Sequence, residues 1–152
     1  MKVVFLDIDG VVNNPYIDAD LKVKYFTEYD GRVSNVQAIR WLSRLCLETD
    51  AVIVISSTWR HAGIDSVRNC LYNSGLDPEV TIYDTTPNSW GDRGDEIALW
   101  LKVHPEVDKF VILDDDNDMG GLLSHLVQCD PSKGFLEKEY QQAKSLLSGT
   151  LL

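Results

Sequence analysis

The chain has 152 residues, of which 44% are hydrophobic and 25% charged, and its formal net charge at pH 7 is -10. This length fits one domain, residues 1–152, with a buried core. An acidic surface repels phosphate backbones, so the charge argues against a protein that coats nucleic acid generally, although one phosphate can still be bound locally. No apolar run approaches the roughly 18 residues that span a bilayer, so we expect no membrane contact and a cytoplasmic location.

The cysteines fit the same expectation. Cys46, Cys70 and Cys129 are far apart in the sequence and form no CxxC pattern. Buried thiols in a reducing compartment explain them better than disulfides or a zinc site.

The first motif is a short apolar run that ends in two aspartates. Residues 3–6 predict a buried strand, and Asp7 and Asp9 follow it one residue apart. Residues i and i+2 of a strand point the same way, so regular geometry places both carboxylates on one side. Two like charges this close are unfavourable unless a cation, a shared proton or strong hydrogen bonds offset the repulsion. The pair therefore indicates a chemical site.

Helices and strands alternate along the rest of the chain. Residues 13–32 are polar and turn-rich and predict a small flap or hairpin, after which Ser34 or Asn35 caps a helix. Strands are predicted at 51–55, 80–83, 109–113 and, more weakly, 126–129; helices are predicted to end near Gly75, to begin near Arg93, and to present Leu136, Tyr140, Ala143 and Leu147 on one face. This pattern predicts an α/β fold of three layers, a parallel sheet of about five strands flanked by helices.

Polar residues follow the predicted strands where a ligand is expected. In such sheets, ligands bind beyond the carboxyl ends of the strands. Ser56 follows the second apolar strand, and Asp114 and Asp115 follow the fourth, while Arg93 stands at the start of a helix. The predicted fold therefore brings carboxylates, a hydroxyl and a cation to one edge of the sheet.

This order of motifs resembles the haloacid dehalogenase (HAD) superfamily, specifically its magnesium-dependent phosphatases. The matching segments are Asp7-Ile8-Asp9-Gly10, the strand ending in Ser56, Arg93, and the strand ending in Asp114-Asp115. Residues 56–60 and 93–97 are also similar to the small HAD domains of Swiss Army Knife RNA repair proteins and to the phosphatase domain of phage polynucleotide kinases. The resemblance implies a Rossmann-like HAD fold. The intervals between the motifs are too short for a cap domain of about 50 residues or more, which predicts a minimal flap and an open site.

The resemblance also implies a reaction, the hydrolysis of a phosphomonoester through an aspartyl-phosphate. Asp7 would be the nucleophile and Asp9 the general acid and base. Mg²⁺ would be held by Asp7, the backbone carbonyl of Asp9 and Asp114, with Asp115 or Asp118 in support.

Further residues are expected to bind the phosphate. Ser56, beside a helix N-terminus, would hold its oxygens, with Ser57 as the alternative. Arg93 would steady Asp7 and the developing charge, and Lys102 is the rival cation. Arg60 follows the second strand closely enough to reach phosphate, although a surface role is equally compatible with its position. The expected substrate-binding set is Ser56, Ser57, Arg60 and Gly10.

The expected partner is a phosphorylated substrate, a nucleic-acid end or a nucleotide. The alternative is a phospho-acceptor or binding module, such as a receiver-like domain that holds magnesium without turnover. Receiver domains carry their phosphorylated aspartate at the end of a middle strand, where this chain has Ser56. Asp9 favours an enzyme, because a module that keeps its phosphate needs no general acid.

Overall fold

The structure is a computed structural model that describes residues 1–14, 26–29 and 32–149, with residues 26–29 and 32–33 described in their backbone alone. The strands are β1 (Lys2–Leu6), β2 (Phe26–Tyr29), β3 (Arg32–Asn35), β4 (Val52–Ile55), β5 (Ile82–Thr85), β6 (Lys109–Asp114) and β7 (Leu126–Gln128). The helices are α1 (Val36–Thr49), α2 (Ile64–Asn73), α3 (Arg93–Lys102) and α4 (Glu137–Ser148), with 3-10 helices at Thr58–Ala62 and Gly120–His125. No helix among the described residues has both the length and the apolar character needed to cross a bilayer.

Five of the strands form one parallel sheet in the order β5-β4-β1-β6-β7. β4 and then β5 lie on one side of β1, and β6 and then β7 lie on the other side. Because the direction of winding reverses at β1, a crevice is expected beyond the carboxyl end of this strand. The predicted α/β fold, a parallel sheet flanked by helices, is confirmed.

Helices cover both faces of the sheet, because successive strand residues point to opposite faces. Val4 and Leu6 of β1 pack in a large core with the apolar sides of α1, α2 and α4. Val3 and Phe5 pack on the other face, where the Phe5 ring meets Trp100 of α3 edge to face with centroids 5.5 Å apart. This burial from both sides fixes the strand that ends at the first aspartate.

The boundaries of β5 differ from the prediction. The sequence predicts a strand at 80–83, whereas β5 continues through Asp84 and Thr85, which pair with Val54 and Ile55 of β4. A neighbouring strand supplies backbone hydrogen bonds whatever the side chains are, so the polar residues extend the strand that apolar patterning alone would end. The last helix also begins later than its pattern suggests, since Leu136 precedes α4 as its N-cap residue.

The predicted flap at 13–32 lies largely outside the described residues. Its described part includes β2, which pairs antiparallel with β3. At the end of β3, the Asn35 side chain accepts a hydrogen bond from the Ala38 N–H at 3.1 Å and so caps α1. This is one of the two caps that the sequence predicts.

Candidate active site

The carboxylates of Asp7 and Asp114 lie side by side because their strands are neighbours. The Asp7 N–H donates to the Leu113 carbonyl at 3.0 Å and so extends the pairing of β1 and β6 by one residue. Asp7, Asp114 and Asp115 each offer a carboxylate oxygen, and the three oxygens lie within 4.8 Å of one another. The tertiary structure therefore gathers three of the predicted metal ligands.

Arg93 reaches this cluster from the first residue of α3. Its Nη1 lies 3.2 Å from Asp7 Oδ1 and 3.3 Å from Asp114 Oδ2. Asp118 fixes the start of the helix, because its Oδ2 accepts from the Arg93 N–H at 3.2 Å and its carbonyl accepts from the next N–H at 3.0 Å. Of the two proposed supporting carboxylates, Asp115 lies in the cluster and Asp118 holds the helix. The rival cation, Lys102, is exposed at the far end of α3.

Burial and charge repulsion strongly affect ionisation in the cluster. Burial, followed by the negative charge of Asp7, raises the pKa of Asp114 to about 8. Burial also raises the pKa of Asp7, and the Arg93 guanidinium opposes this shift. Burial alone would lower the pKa of Arg93, but the charges of Asp7 and Asp114 raise it overall. When all three carboxyl groups are ionised, the single guanidinium leaves an excess of negative charge, which a bound cation would relieve.

Asp9 lies outside this cluster and is held by two other side chains. Its Oδ1 accepts from Asn13 Nδ2 at 3.0 Å, and its Oδ2 accepts from the Trp59 indole N–H at 3.3 Å. A tight turn brings Asn13 back, since the Gly10 N–H donates to the Asn13 carbonyl at 2.6 Å. Neither partner was predicted from the sequence. Asn13 lies four residues after Asp9 in a turn, and this short spacing could have indicated the contact. Trp59 is 50 residues away from Asp9, so no local pattern indicated it.

Gly10 allows the turn to approach the carboxylates. Its φ is +84°, in the region that favours glycine, and a Cβ built there would lie 2.5 Å from Asp115 Oδ2. The structure thus gives Gly10 a steric reason for its place beside the cluster. Its expected role in substrate binding stays a prediction.

Ser56 and Ser57 differ in their surroundings. Ser56 follows β4 directly, its N–H donates to the Leu6 carbonyl at 3.0 Å, and its buried Oγ has no hydrogen-bond partner among the described residues. Ser57 Oγ accepts from the Trp59 N–H at 3.1 Å and caps the short 3-10 helix, which separates Ser56 from α2. The buried hydroxyls of Ser34 and Ser74 also lack a partner among the described residues, so the position of Ser56 directly after β4 is what sets it apart. A polar ligand at this strand end would satisfy the Ser56 hydroxyl.

Arg60 does not join the other predicted residues. Its guanidinium is buried, bonds to backbone carbonyls, and forms an ion pair with Glu96. The expectation that Arg60 reaches substrate phosphate is therefore not supported by its placement. Arg60 is close to β4 in the sequence, but this closeness did not show whether its side chain points towards the carboxylates or away from them.

The fold and this site define a class of protein. A parallel sheet whose central strand ends in a DxDG motif, with a hydroxyl and an acidic cluster at the adjacent strand ends, is the arrangement of a HAD-type domain. A family model described as the HAD domain in Swiss Army Knife RNA repair proteins matches residues 3–140, and the chain belongs to this family. Among curated proteins the sequence has no significant match.

Family membership indicates a phosphatase-type hydrolase that acts on phosphorylated substrates. HAD proteins typically use a metal, and the buried acidic cluster is consistent with that property.

Proposed function

We propose that this chain is a magnesium-dependent phosphomonoesterase that forms an aspartyl-phosphate on Asp7. The observation that carries the proposal is the junction of Asp7, Asp114 and Asp115 with the Arg93 guanidinium, which contacts the first two carboxylates. In this proposal Asp7 is the nucleophile, the carboxylate oxygens are metal ligands, and Arg93 is the cation that binds the phosphoryl group. Phosphoryl transfer depends chiefly on such positioning and charge stabilisation.

The donor set fits Mg²⁺. The ion prefers oxygen ligands and is usually held by a few carboxylates and waters. Asp7, Asp114 and Asp115 would hold it, with the backbone carbonyl of Asp9. When bound, the ion would offset the repulsion between an anionic nucleophile and an anionic phosphoryl group.

The chain's own residues account for both chemical steps. An Asp7 oxygen attacks phosphorus, the bond from phosphorus to the ester oxygen breaks, and Asp9 gives the leaving oxygen its proton. Asp9 then takes a proton from water as the water oxygen attacks the phosphorus of the acyl-phosphate. The bond from phosphorus to Asp7 breaks, phosphate leaves, and both aspartates return to their starting states.

Ser56, Ser57 and Arg93 take supporting roles in this scheme. The unpaired Ser56 hydroxyl donates to a phosphoryl oxygen, and Ser57 lines the same end of β4. Arg93 keeps Asp7 oriented and stabilises negative charge as it develops on the phosphoryl group. The hydrogen bonds from Asn13 and Trp59 hold Asp9 beside the reaction.

For the substrate, we propose a phosphorylated nucleic-acid end or a nucleotide, acted on in the cytoplasm by a single domain with an open site. The family's occurrence in RNA repair proteins supports this choice. The net charge of -10 argues that the enzyme engages a terminus and does not coat a strand.

Phosphate release from a broad monoester panel tests the activity. The panel contains nucleotides, sugar phosphates, phosphopeptides and oligonucleotides with 3′- or 5′-phosphates, each with Mg²⁺ and with chelator. Asp7→Asn should lower turnover by more than about 10³-fold and keep the fold, whereas Asp65→Asn, at an exposed position on α2, should leave turnover unchanged. Absence of Mg²⁺-dependent release across the panel would show the proposal to be wrong. An acyl-phosphate that persists for hours would favour the phospho-acceptor module instead.

A further inference from the structure

Arg60 and Glu96 form a buried ion pair that the proposed chemistry does not use. Arg60 Nη2 lies 2.7 Å from Glu96 Oε2, and the two side chains are 6% and 8% exposed. Removing two charges from water is costly, and well-packed apolar residues of similar size often stabilise a fold equally well. Stability alone is therefore a weak explanation for the pair.

The remaining donors of Arg60 bind the ends of two strands. Nη1 donates to the carbonyls of Ser56 and Ser57 at 3.0 and 2.9 Å, just beyond β4. Nε donates to the Thr86 carbonyl at 3.1 Å, just beyond β5. One guanidinium thus fixes the backbone that carries the two candidate phosphate-binding hydroxyls.

Glu96 connects this backbone to α3. It lies three residues after Arg93, about one helical turn, and its Oε2 also accepts from the Ser89 N–H at 3.2 Å in the preceding loop. Arg93, on the same helix, contacts Asp7 and Asp114. A continuous set of contacts therefore runs from Ser56 through Arg60 and Glu96 to the helix that carries Arg93.

We propose that Arg60 and Glu96 are positioning residues that fix the distance between the Ser56–Ser57 backbone and the Arg93 guanidinium. A fully satisfied buried network is rigid, and it holds two separate segments in one relative arrangement. The Ser56–Ser57 segment and the Arg93 guanidinium would then contact two sides of the phosphoryl group, at a spacing that is already fixed before the substrate binds. The inference rests on the proposed function for its kinetic consequence, and the pair itself contacts neither substrate nor metal.

The double variant Arg60→Met/Glu96→Met tests this role. Either single substitution leaves a buried charge unpaired and destabilises the fold, whereas the double variant removes both charges and keeps apolar volume. We expect the double variant to fold but to unfold at a lower temperature than the wild type, because the carbonyls of Ser56, Ser57 and Thr86 lose their donor. We expect its kcat to fall by about 10²-fold, the scale of a misplaced catalytic group. We also expect weaker inhibition by inorganic phosphate. Wild-type kcat and phosphate inhibition in a stably folded double variant would overturn the proposal.

Arg68→Met is the matched control. Arg68 also donates to a strand backbone, the Ile82 carbonyl, through Nε at 3.1 Å and Nη2 at 2.7 Å, but it does not touch the Ser56–Ser57 segment. This variant should lose some stability and retain kcat. If Arg68→Met loses as much kcat as the Arg60/Glu96 double variant, a general loosening of the sheet, and not the loss of the Arg60–Glu96 pair, explains the lower turnover.

A crystal structure of the double variant separates this inference from the proposed function, because it requires no turnover. We expect an intact sheet with the Ser56–Ser57 segment displaced relative to Arg93. Unchanged placement of this segment would overturn the positioning role even if the wild type is an active phosphatase. A wild type without phosphatase activity would instead contradict the proposed function, and the displacement would still decide the role of the pair.

Discussion

The indole N–H of Trp59 donates to Asp9 Oδ2 at 3.3 Å, across 50 positions of the sequence. Trp59 is half-buried and lies in the 3-10 helix that follows β4, so the segment after β4 supplies an orienting group for the carboxylate that follows β1. Asn13 holds the other oxygen at 3.0 Å. In the proposed mechanism Asp9 is the proton donor, which works only within hydrogen-bond reach of the leaving oxygen, so we expect both contacts to affect turnover.

Trp59→Phe should therefore lower kcat while largely preserving the fold. The substitution keeps an aromatic ring and removes the N–H, while Asn13 still holds the other oxygen of Asp9. We therefore expect a loss of about tenfold, less than the roughly 10²-fold or more that a positioned acid–base group itself contributes. Steady-state kinetics and thermal unfolding measure the two effects. Trp90→Phe is the control, because Trp90 is 93% exposed, and it should behave as the wild type. If Trp59→Phe has the kcat of the wild type, the indole N–H is not needed to orient Asp9 for catalysis.

Gly10→Ala should weaken magnesium binding as well as stability. The new Cβ would meet Asp115 Oδ2 at 2.5 Å, and the φ of +84° is strained for any residue with a Cβ, at a cost of about 1 kcal/mol or more. Titration of Mg²⁺ while following thermal unfolding reports both effects.

Gly75→Ala separates strain from displacement of the carboxylate. Gly75 has a φ of +110° with no atom within 4 Å of a built Cβ, so this variant should lose stability and keep its response to Mg²⁺. An equal response to Mg²⁺ in the two alanine variants would argue against a role for Asp115 in holding the ion.

The stability of the metal-free protein should fall as pH rises from about 4 towards 8. Burial and the charge of Asp7 raise the pKa of Asp114 to about 8 in the folded state, from an ordinary value of 3.8. Between these values the folded state holds a proton that the unfolded state releases, so unfolding becomes easier as pH rises. If magnesium binds the ionised carboxylates, as proposed, its stabilising effect should increase over the same range.

Calorimetry in chelator and in Mg²⁺, across this range of pH, measures that dependence. Asp114→Asn should be less sensitive to pH in chelator and should gain little from the ion. If wild type and Asp114→Asn respond identically to pH and Mg²⁺, the site lies elsewhere.

The cysteines should react only when the protein unfolds. All three are free and buried, and burial raises the pKa of Cys46 to about 12 and that of Cys129 further. The thiolate is the reactive form, so a thiol reagent at pH 8 should modify the native protein very slowly and the denatured protein rapidly. Counting modified thiols by mass spectrometry, with and without denaturant, checks this. Rapid labelling of Cys46 in the native protein would contradict its burial.

Much of the fold followed from local pattern. Continuous apolar runs such as residues 3–6 and 52–55 can be satisfied only by burial on both faces, so they indicate central parallel strands and helical layers. The edge strand β5 was less predictable, because Asp84 and Thr85 are held by pairing with β4 and not by their own preferences.

The sequence alone determined which residues stand at the strand ends. Asp7 and Ser56 directly follow apolar strands, and Asp114 is the last residue of another. Parallel strands place their carboxyl ends at one edge, so covalent order was enough to bring the three residues together. The family match agrees with that order. Roles that depend on the position of a residue relative to a strand end are therefore encoded locally.

Only the tertiary structure decided which of several similar side chains faces the site. Arg93 meets Asp7 while Arg60 turns away to Glu96, and Asp115 joins the carboxylates while Asp118 holds the start of α3. The first choice depends on how the loop after β4 packs against α3, and the second on how the loop after β6 does so. Side-chain direction in a loop is set by contacts with distant segments, and those contacts exist only once the chain has folded.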